Sequence, residues 1–253
     1  MKENKYNLGL VSVSFRPHTS EEILEAVKDT CLSFIEWGSD VHAPCHDTAR
    51  LYEIAQLQRK YGISCSSYGT YFRLGETPIG ELESYIAAAK ILGTDILRVW
   101  CGNKSGDEYS DAERQGFIEE CKAAAKIAAE NGVKLCMECH RGSYTQRLAD
   151  ALALMREVDS PAFRMYWQPF QWQTEEENLV YAEAIAEYTE HIHVFQWKCD
   201  KRFSLHDGIE EWRGYLGKFD TPRTLLLEFM PDDKIATLES EVKALRTIIG
   251  ELV

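Results

Sequence analysis

The feature that most constrains the fold of this chain is an unbroken alternation of short apolar segments with longer segments of helical periodicity. The segment after Asp47, for example, carries apolar Leu51, Ile54 and Leu57 and stops at Gly62. The predicted strands are residues 8–14, 31–37, 63–67, 95–100, 133–138, 163–168, 190–195 and 223–228. The predicted helices are residues 19–29, 47–61, 78–92, 111–130, 145–157, 174–188, 209–216 and 232–252.

This alternation predicts parallel strands joined by right-handed crossovers, in either a doubly wound sheet or a closed barrel. Residues 12–17 follow the first strand with no glycine-rich phosphate loop, which argues against dinucleotide binding. Eight units in 253 residues favour the closed (β/α)8 form, a TIM barrel. We find no linker or composition shift, so we expect a single domain over residues 1–253.

Charge and composition narrow the class of partner. Asp plus Glu number 41 against 28 Lys plus Arg, and a net charge of −13 disfavours nucleic acid and anionic membranes. No apolar run is long enough to span a bilayer, and the N-terminus has no signal-peptide core, so we expect a cytoplasmic protein with a small-molecule carbohydrate substrate. A homo-oligomer is compatible with these features. Cys65, Cys101, Cys136 and Cys139 lie in or beside predicted buried strands, where reduced cysteine is expected.

Four predicted strands in succession end on a side chain with a donor atom. These residues are Glu138, Gln168, His193 and Glu228, at steps of 30, 25 and 35 residues, each long enough for one helix and one strand. In a barrel, the carboxyl ends of the strands meet on one face, where catalytic groups lie. Two carboxylates, an imidazole and a carboxamide oxygen suit a divalent cofactor metal, Mn²⁺, Mg²⁺, Co²⁺ or Zn²⁺.

Two other motifs have simpler interpretations. Cys136 to His140 matches the C-x-x-C-H spacing of haem attachment, but a buried strand in a chain that is not exported does not suit haem. His42 to Asp47 resembles half of a small zinc site without a second cluster. We interpret it as a strand-to-helix loop with His42 turned towards the substrate pocket.

The chain resembles the xylose-isomerase-like barrels of the sugar phosphate isomerase/epimerase family over nearly its whole length. The resemblance is carried by residues 34–42, 66–74, 97–102, 136–140, 191–193 and 227–228. In that family a Glu, an Asp, a His and a Glu from strands five to eight hold the metal. Glu138, His193 and Glu228 match this pattern. Gln168 replaces the Asp, and Gln171 stands where the family often has a His.

The resemblance implies a metal-dependent isomerase or epimerase that acts on a keto sugar, free or phosphorylated, through an enediolate. Glu138 and Glu228 are the candidate catalytic residues, because one carboxylate can remove a proton and the other can return one. Return on the opposite face gives epimerisation, and return to the neighbouring carbon gives isomerisation. Two alternatives remain: a sugar-binding barrel without turnover, and a DNA repair enzyme like the AP endonuclease of the same superfamily.

Other residues near the predicted strand ends are candidates for substrate binding. Tyr68, Trp100 and Trp172 offer rings on which a sugar can stack. His140 is placed either to polarise a substrate oxygen or to hold a metal ligand by a hydrogen bond. Lys198 lies in a basic stretch suited to a phosphate or carboxylate. The full set of candidates is His42, Tyr68, Trp100, His140, Trp172 and Lys198, while Glu36, Arg98 and Arg164 are expected to pair inside the barrel.

Overall fold

Eight parallel strands close into a barrel in the computed structural model, which describes residues 6–250. The barrel strands are β1 (Asn7–Val11), β2 (Phe34–Gly38), β3 (Ser64–Leu74), β4 (Ile96–Cys101), β5 (Lys134–Glu138), β6 (Phe163–Trp167), β7 (Thr189–Val194) and β10 (Thr224–Leu227). Two further strands, β8 (Gln196–Lys198) and β9 (Lys201–Phe203), form an antiparallel hairpin after β7. The predicted TIM barrel is confirmed as a single-domain fold.

The strands follow one another around the barrel in chain order, and β1 closes the ring. It pairs with β2 on one side, where Leu10 lies opposite Ile35, and with β10 on the other, where Leu8 lies opposite Leu225. A parallel ladder brings every carboxyl end to the same rim of the barrel. Residues at the ends of β5, β7 and β10 therefore share one face of the molecule.

Eight α-helices surround the barrel within residues 6–250. They are α1 (Ser20–Val27), α2 (Thr48–Tyr61), α3 (Leu82–Leu92), α4 (Asp111–Glu130), α5 (Leu148–Val158), α6 (Glu175–Ile185), α7 (Ile209–Leu216) and α8 (Leu238–Ile248). Thr19, Ser110 and Thr174 begin α1, α4 and α6 with reciprocal capping boxes, in which a Glu three residues later bonds back to the cap. Gly62 and Gly93 end α2 and α3 in the left-handed conformation, which suits a residue without a Cβ.

The hydrophobic core has two parts. The larger part lies between the strands and the helices, and a smaller cluster fills the barrel itself: Val11, Val13, Ile96, Cys136, Tyr166 and Leu226. Side chains two residues apart on a strand share a face, so Cys136 and Leu226 lie directly beneath Glu138 and Glu228. The apolar cluster therefore forms the floor of the rim that carries the candidate site.

Four details differ from the sequence-based prediction. The first strand ends at Val11, because Ser12–Phe15 form a 3-10 turn. Strand β3 continues to Leu74, well beyond the predicted residue 67, and the β8–β9 hairpin was not predicted. Helix α8 begins at Leu238 rather than near residue 232. The parts of the predicted domain at residues 1–5 and 251–253 lie outside the described residues.

Two expectations from composition can be compared with the structure. No disulfide forms among residues 6–250, and the four cysteines expected to be buried are buried. Burial raises the pKa of Cys65 to about 12, which keeps that thiol protonated at neutral pH. Among residues 6–250, no helix combines the length and apolarity needed to cross a membrane.

Candidate functional site

Three of the four donors predicted at the strand ends surround the fourth, the imidazole of His193. Its Nδ1 donates a hydrogen bond to Oε1 of Gln168 at 3.0 Å, and lies 3.4 Å from Oε2 of Glu228 and 3.9 Å from Oε1 of Glu138. The ring of His193 is fully buried, and the two glutamates are each 5% exposed. Four side chains from four different strand ends therefore share one small polar centre.

A second layer of buried charge surrounds this centre. Arg98, on β4, donates from Nη1 to Oε2 of Glu138 at 2.6 Å and from Nε to Oε1 of Glu36 at 3.0 Å. The other oxygen of Glu36 accepts hydrogen bonds from Tyr166 and Ser67, each at 2.9 Å. Because Arg98 holds one oxygen of Glu138, the other oxygen is turned towards His193. The expected pairing of Glu36 with Arg98 inside the barrel is confirmed.

One glycine makes room for this pair. A Cβ on Gly69 of β3 would lie 2.7 Å from Oε1 of Glu36 and 2.9 Å from Nη2 of Arg98. Both side chains are held by buried hydrogen bonds, through Oε1 of Glu36 and through Nε and Nη1 of Arg98, so they have little freedom to move away. Any side chain at position 69 would therefore push the salt bridge out of its geometry.

Burial and mutual charge set the protonation of the centre. Burial, together with the Glu138 carboxylate, raises the pKa of Glu228 to about 7. Burial by itself lowers the pKa of His193, but the Glu228 and Glu36 carboxylates outweigh it and raise that pKa to about 9. Burial also opposes ionisation of Glu36, yet His193 and Arg98 hold its pKa far below the usual range. At neutral pH His193 is thus a buried cation among carboxylates.

The donor set fits a divalent ion. Two carboxylate oxygens, an imidazole nitrogen and a carboxamide oxygen are ligands that such ions accept, and donors around an octahedral ion lie about 3 Å apart. In the described part of the chain, no group of three or more His, Cys, Asp or Glu side chains is already arranged to hold a metal. Glu138 would have to move closer to His193, and His193 would have to lose its proton, because a metal ligand must be deprotonated.

The neutral carboxamide of Gln168 is expected to limit metal affinity. We predict that Gln168→Glu, which adds one negative charge at nearly constant size, tightens Mn²⁺ binding by about tenfold. The same change should lower the stability of the metal-free protein, because a further carboxylate would lie beside Glu228 and Glu138. Calorimetric titration and urea unfolding measure the two effects. Equal metal affinity in the two proteins would contradict a ligand role for residue 168.

Four of the candidate substrate-binding residues form one ring pair and one pocket near the rim. The rings of Trp100 and His140 lie 4.3 Å apart between centroids, at the ends of β4 and β5. Trp172 is 49% exposed, and together with Lys198 it lines a cavity of 320 Å³ between the loop after β6 and the β8–β9 hairpin. Nζ of Lys198 is 2.8 Å from Oε2 of Glu211 on α7. The structure therefore places Trp172 and Lys198 in one pocket.

Tyr68 and His42 instead make hydrogen bonds within the protein. The Tyr68 hydroxyl donates to the carbonyl of Ala43 at 2.5 Å, and the ring is fully buried. His42 is buried, with Nδ1 3.1 Å from Oγ of Ser12 and Nε2 3.0 Å from the carbonyl of His18. Both side chains hold the loop between β2 and α2 against the barrel. Their contact with a substrate stays a prediction.

Several residues around the centre were missed or misplaced by sequence reasoning. The contact of Arg98 with Glu138 was not predicted, although an arginine two residues before a strand end is the signal for it. Arg141 packs over the ring of Trp172, and Arg73 over that of Trp100, at 4.5 and 4.6 Å from the ring centres. Arg164 was expected inside the barrel beside Glu36 and Arg98, but it pairs with Glu190 near the amino ends of the strands.

A family model described as xylose isomerase-like TIM barrel matches residues 24–248. The chain belongs to this family. Within the xylose isomerase-like TIM barrel family, a curated 3-dehydroshikimate dehydratase of Bacillus anthracis is 26% identical over 90 residues, which are 36% of this chain and 32% of that protein. The match thus spans about a third of the curated relative's length.

Solved structures share the fold across almost the whole chain. A probable 3-DHS dehydratase from Bacillus anthracis superposes with a TM-score of 0.79 at 16% identity, covering 95% of this chain and 98% of that one. A D-psicose 3-epimerase from Clostridium cellulolyticum gives 0.67 at 12%, covering 96% and 98%. A xylose isomerase-like barrel protein from Mycobacterium smegmatis, in complex with magnesium, gives 0.70 at 13%, covering 96% of each chain. The first two are named as enzymes, and the third holds a divalent metal.

Proposed function

We propose that this protein is a metal-dependent enzyme that moves a proton at a carbon next to a carbonyl group, in a keto sugar or a related polyhydroxylated ketone. Isomerisation or epimerisation through an enediolate is the outcome we favour. The observation that carries the proposal is the meeting of Glu138, Glu228 and His193 within 4 Å at the barrel rim. Two buried carboxylates on either side of one position are what a two-base proton transfer requires.

The two carboxylates have different surroundings, which suggests different roles. Arg98 fixes one oxygen of Glu138, so the other is oriented to take a proton from carbon. Glu228, whose Oε2 lies 3.4 Å from Nδ1 of His193, is then the candidate to return a proton. A divalent ion held by Glu138, Gln168, His193 and Glu228 would supply Lewis acidity that stabilises negative charge on the substrate oxygens.

The rim supplies groups that suit a polyhydroxylated substrate. Trp100 and Trp172 present rings on which the apolar face of a sugar can stack. Arg141, above Trp172, and Lys198, in the neighbouring cavity, offer positive charge to a phosphate or carboxylate. The half-exposed ring of Trp172 also lines this cavity. These contacts support a carbohydrate or a carbohydrate acid as the substrate.

A dehydratase is the second candidate, and the likeness to 3-dehydroshikimate dehydratase of Bacillus anthracis favours it. Dehydration of a 3-dehydroshikimate-like ketone begins with the same step, removal of a proton next to the carbonyl. It then needs an acid that protonates the departing hydroxyl, and Glu228 or His140 is placed for this. The same centre can start both reactions. The substrate then determines whether a new C–H bond forms, as in epimerisation or isomerisation, or a C–O bond breaks, as in dehydration.

Exchange of carbon-bound protons with heavy water tests the shared step. We expect the Mn²⁺-loaded protein to place deuterium next to the carbonyl of at least one compound in a panel of free keto sugars, keto sugar phosphates and 3-dehydroshikimate. NMR of the products separates the outcomes, because an epimer or isomer keeps the composition of the substrate. Dehydration removes water and, for dehydroshikimate, gives an aromatic ring with strong ultraviolet absorption.

Two other results would favour the remaining alternatives, and the second needs a separate assay with abasic DNA. Compounds that raise the melting temperature without exchange under any divalent metal would indicate a sugar-binding barrel. Incision of an abasic DNA duplex would indicate a repair enzyme. The net charge of −13 opposes binding to a phosphate backbone, so no incision is expected. Either result would replace the proposed reaction.

A further inference from the structure

A second polar cavity lies at the opposite end of the barrel from the candidate site. Strands β1, β7 and β10 begin there, and its volume is 240 Å³. The lining includes Asn7, Arg164, Glu190, His191, Arg223 and Thr224. The barrel strands that separate the two ends are about five residues long, so this lower cavity lies about 15 Å from the rim. It is therefore separate from the proton-transfer centre.

The lower cavity carries more positive than negative charge, although the chain as a whole is acidic. Glu190 accepts hydrogen bonds from Nε of Arg164 at 2.8 Å and from Nζ of Lys134 at 3.1 Å. Arg223 has no carboxylate within hydrogen-bonding distance among residues 6–250, and it binds the Ala186 carbonyl and Thr221 instead. Glu190 thus accepts hydrogen bonds from two cations, whereas Arg223 interacts with the Glu190 and Asp220 carboxylates through charge at longer range.

Two buried nitrogen atoms on residues that line this cavity have no hydrogen-bond partner among residues 6–250. Nε of Arg223 and Nδ1 of His191 are shielded from solvent, and neither makes a hydrogen bond within the described part of the chain. His191 is 7% exposed, and its Nε2 is 3.3 Å from the Ser66 carbonyl. A buried arginine N–H without an acceptor is costly, and a ligand oxygen at this place would remove the cost.

We propose that the lower cavity binds a phosphate-type oxyanion between Arg223 and Arg164, with His191 beside it. The arginines donate to the oxyanion, and their positive charge favours it. Hydrogen phosphate can satisfy His191 as well, because its oxygens accept and its hydroxyl donates. The volume holds inorganic phosphate with water, or a phosphate group on a small metabolite.

Inorganic phosphate is the first probe, and its binding to the protein is measured by calorimetry and by thermal unfolding. The pH is held constant, and chloride at the same ionic strength is the reference. We expect saturable binding and a raised melting temperature. Arg223→Gln should weaken the affinity by about tenfold or more, since it removes a charge-assisted donor. A parallel titration with glycerol phosphate tests the source of the ligand. Tighter binding of the ester indicates a phosphorylated metabolite, and tighter binding of the free ion indicates phosphate itself.

Two controls locate the site. Arg213, on α7, donates to a backbone carbonyl as Arg223 does, and it also pairs with a carboxylate. Arg213→Gln therefore removes an arginine away from the cavity and should leave phosphate affinity unchanged. Lys198→Gln reports on the rim, where Lys198 offers charge to a substrate phosphate, so the phosphate binding that remains in this variant belongs to the lower cavity. If Arg223→Gln does not fold, Arg223→Lys keeps the charge, loses donors and should bind more weakly than wild type. The proposal fails if wild type shows no saturable binding, if the folded Arg223 variant binds as tightly as wild type, or if Lys198→Gln abolishes binding.

Discussion

Replacement of Glu138 by glutamine is expected to slow proton exchange between substrate and heavy water by about 10³-fold. The carboxamide keeps the size of the side chain and can still accept from Arg98, but it cannot take a proton from carbon. Single-turnover exchange, followed by NMR in Mn²⁺-loaded protein, measures the effect. Metal content should be determined in the same sample, so that loss of the base is distinguished from loss of the ion.

Glu241→Gln is the matched control for this change. Glu241 is a buried carboxylate on α8 that accepts from Oγ of Ser204 at 2.9 Å and from the backbone nitrogen of Leu205 at 2.8 Å. It lies outside the centre, and a glutamine there should leave exchange unchanged. If Glu138→Gln exchanges as fast as Glu241→Gln, then Glu138 is not the base, and the proposed roles of the two carboxylates are wrong.

Arg98→Met is expected to cost about 3–5 kcal/mol of folding stability, the largest loss that we predict for a single change. Methionine fills much of the volume of arginine but removes the guanidinium from Glu36 and Glu138, which are then left to share the charge of His193. Urea unfolding of the metal-free protein, monitored by tryptophan fluorescence, measures the difference. A bound metal would restore part of the loss, because it would bring positive charge back to Glu138.

A double variant tests whether the loss comes from unpaired charge. Adding Glu36→Gln to Arg98→Met removes one of the two stranded carboxylates, so the double variant should be more stable than Arg98→Met alone. The remaining hydrogen bonds from Tyr166 and Ser67 can still be accepted by the carboxamide oxygen. A loss below about 1 kcal/mol for Arg98→Met would show that the salt bridges contribute little, as exposed pairs do.

The sequence predicts the barrel and its polar centre because both follow from local patterns. Helix α4 was predicted from residue 111 to residue 130 and has those bounds, since Ser110 caps it and Asn131-Gly132 ends it. The meeting of Glu138, His193 and Glu228 follows from parallel strands, whose carboxyl ends share one rim. A residue that ends a strand is therefore placed by topology alone, before any contact is known.

The parts that sequence reasoning missed depend on contacts between distant residues. Strand β3 continues past residue 67 because Arg73 and Leu74 pair with Trp100 and Cys101 after a shift in register. The hairpin strands β8 and β9 are three residues each, too short for a periodic signal. Tyr68 was interpreted as a substrate ring, yet the Ala43 carbonyl lies within reach of its hydroxyl. None of these partners is adjacent in sequence.

The proposal rests on one claim above all, that the four strand-end side chains form a metal centre. Metal-free protein titrated with Mn²⁺, followed by elemental analysis after gel filtration, tests it most directly. We predict about one ion per chain in wild type and a large loss in His193→Gln, with protons released on binding because His193 must give up its proton. Folded wild-type protein that retains no Mn²⁺, Mg²⁺, Co²⁺ or Zn²⁺ would contradict the claim.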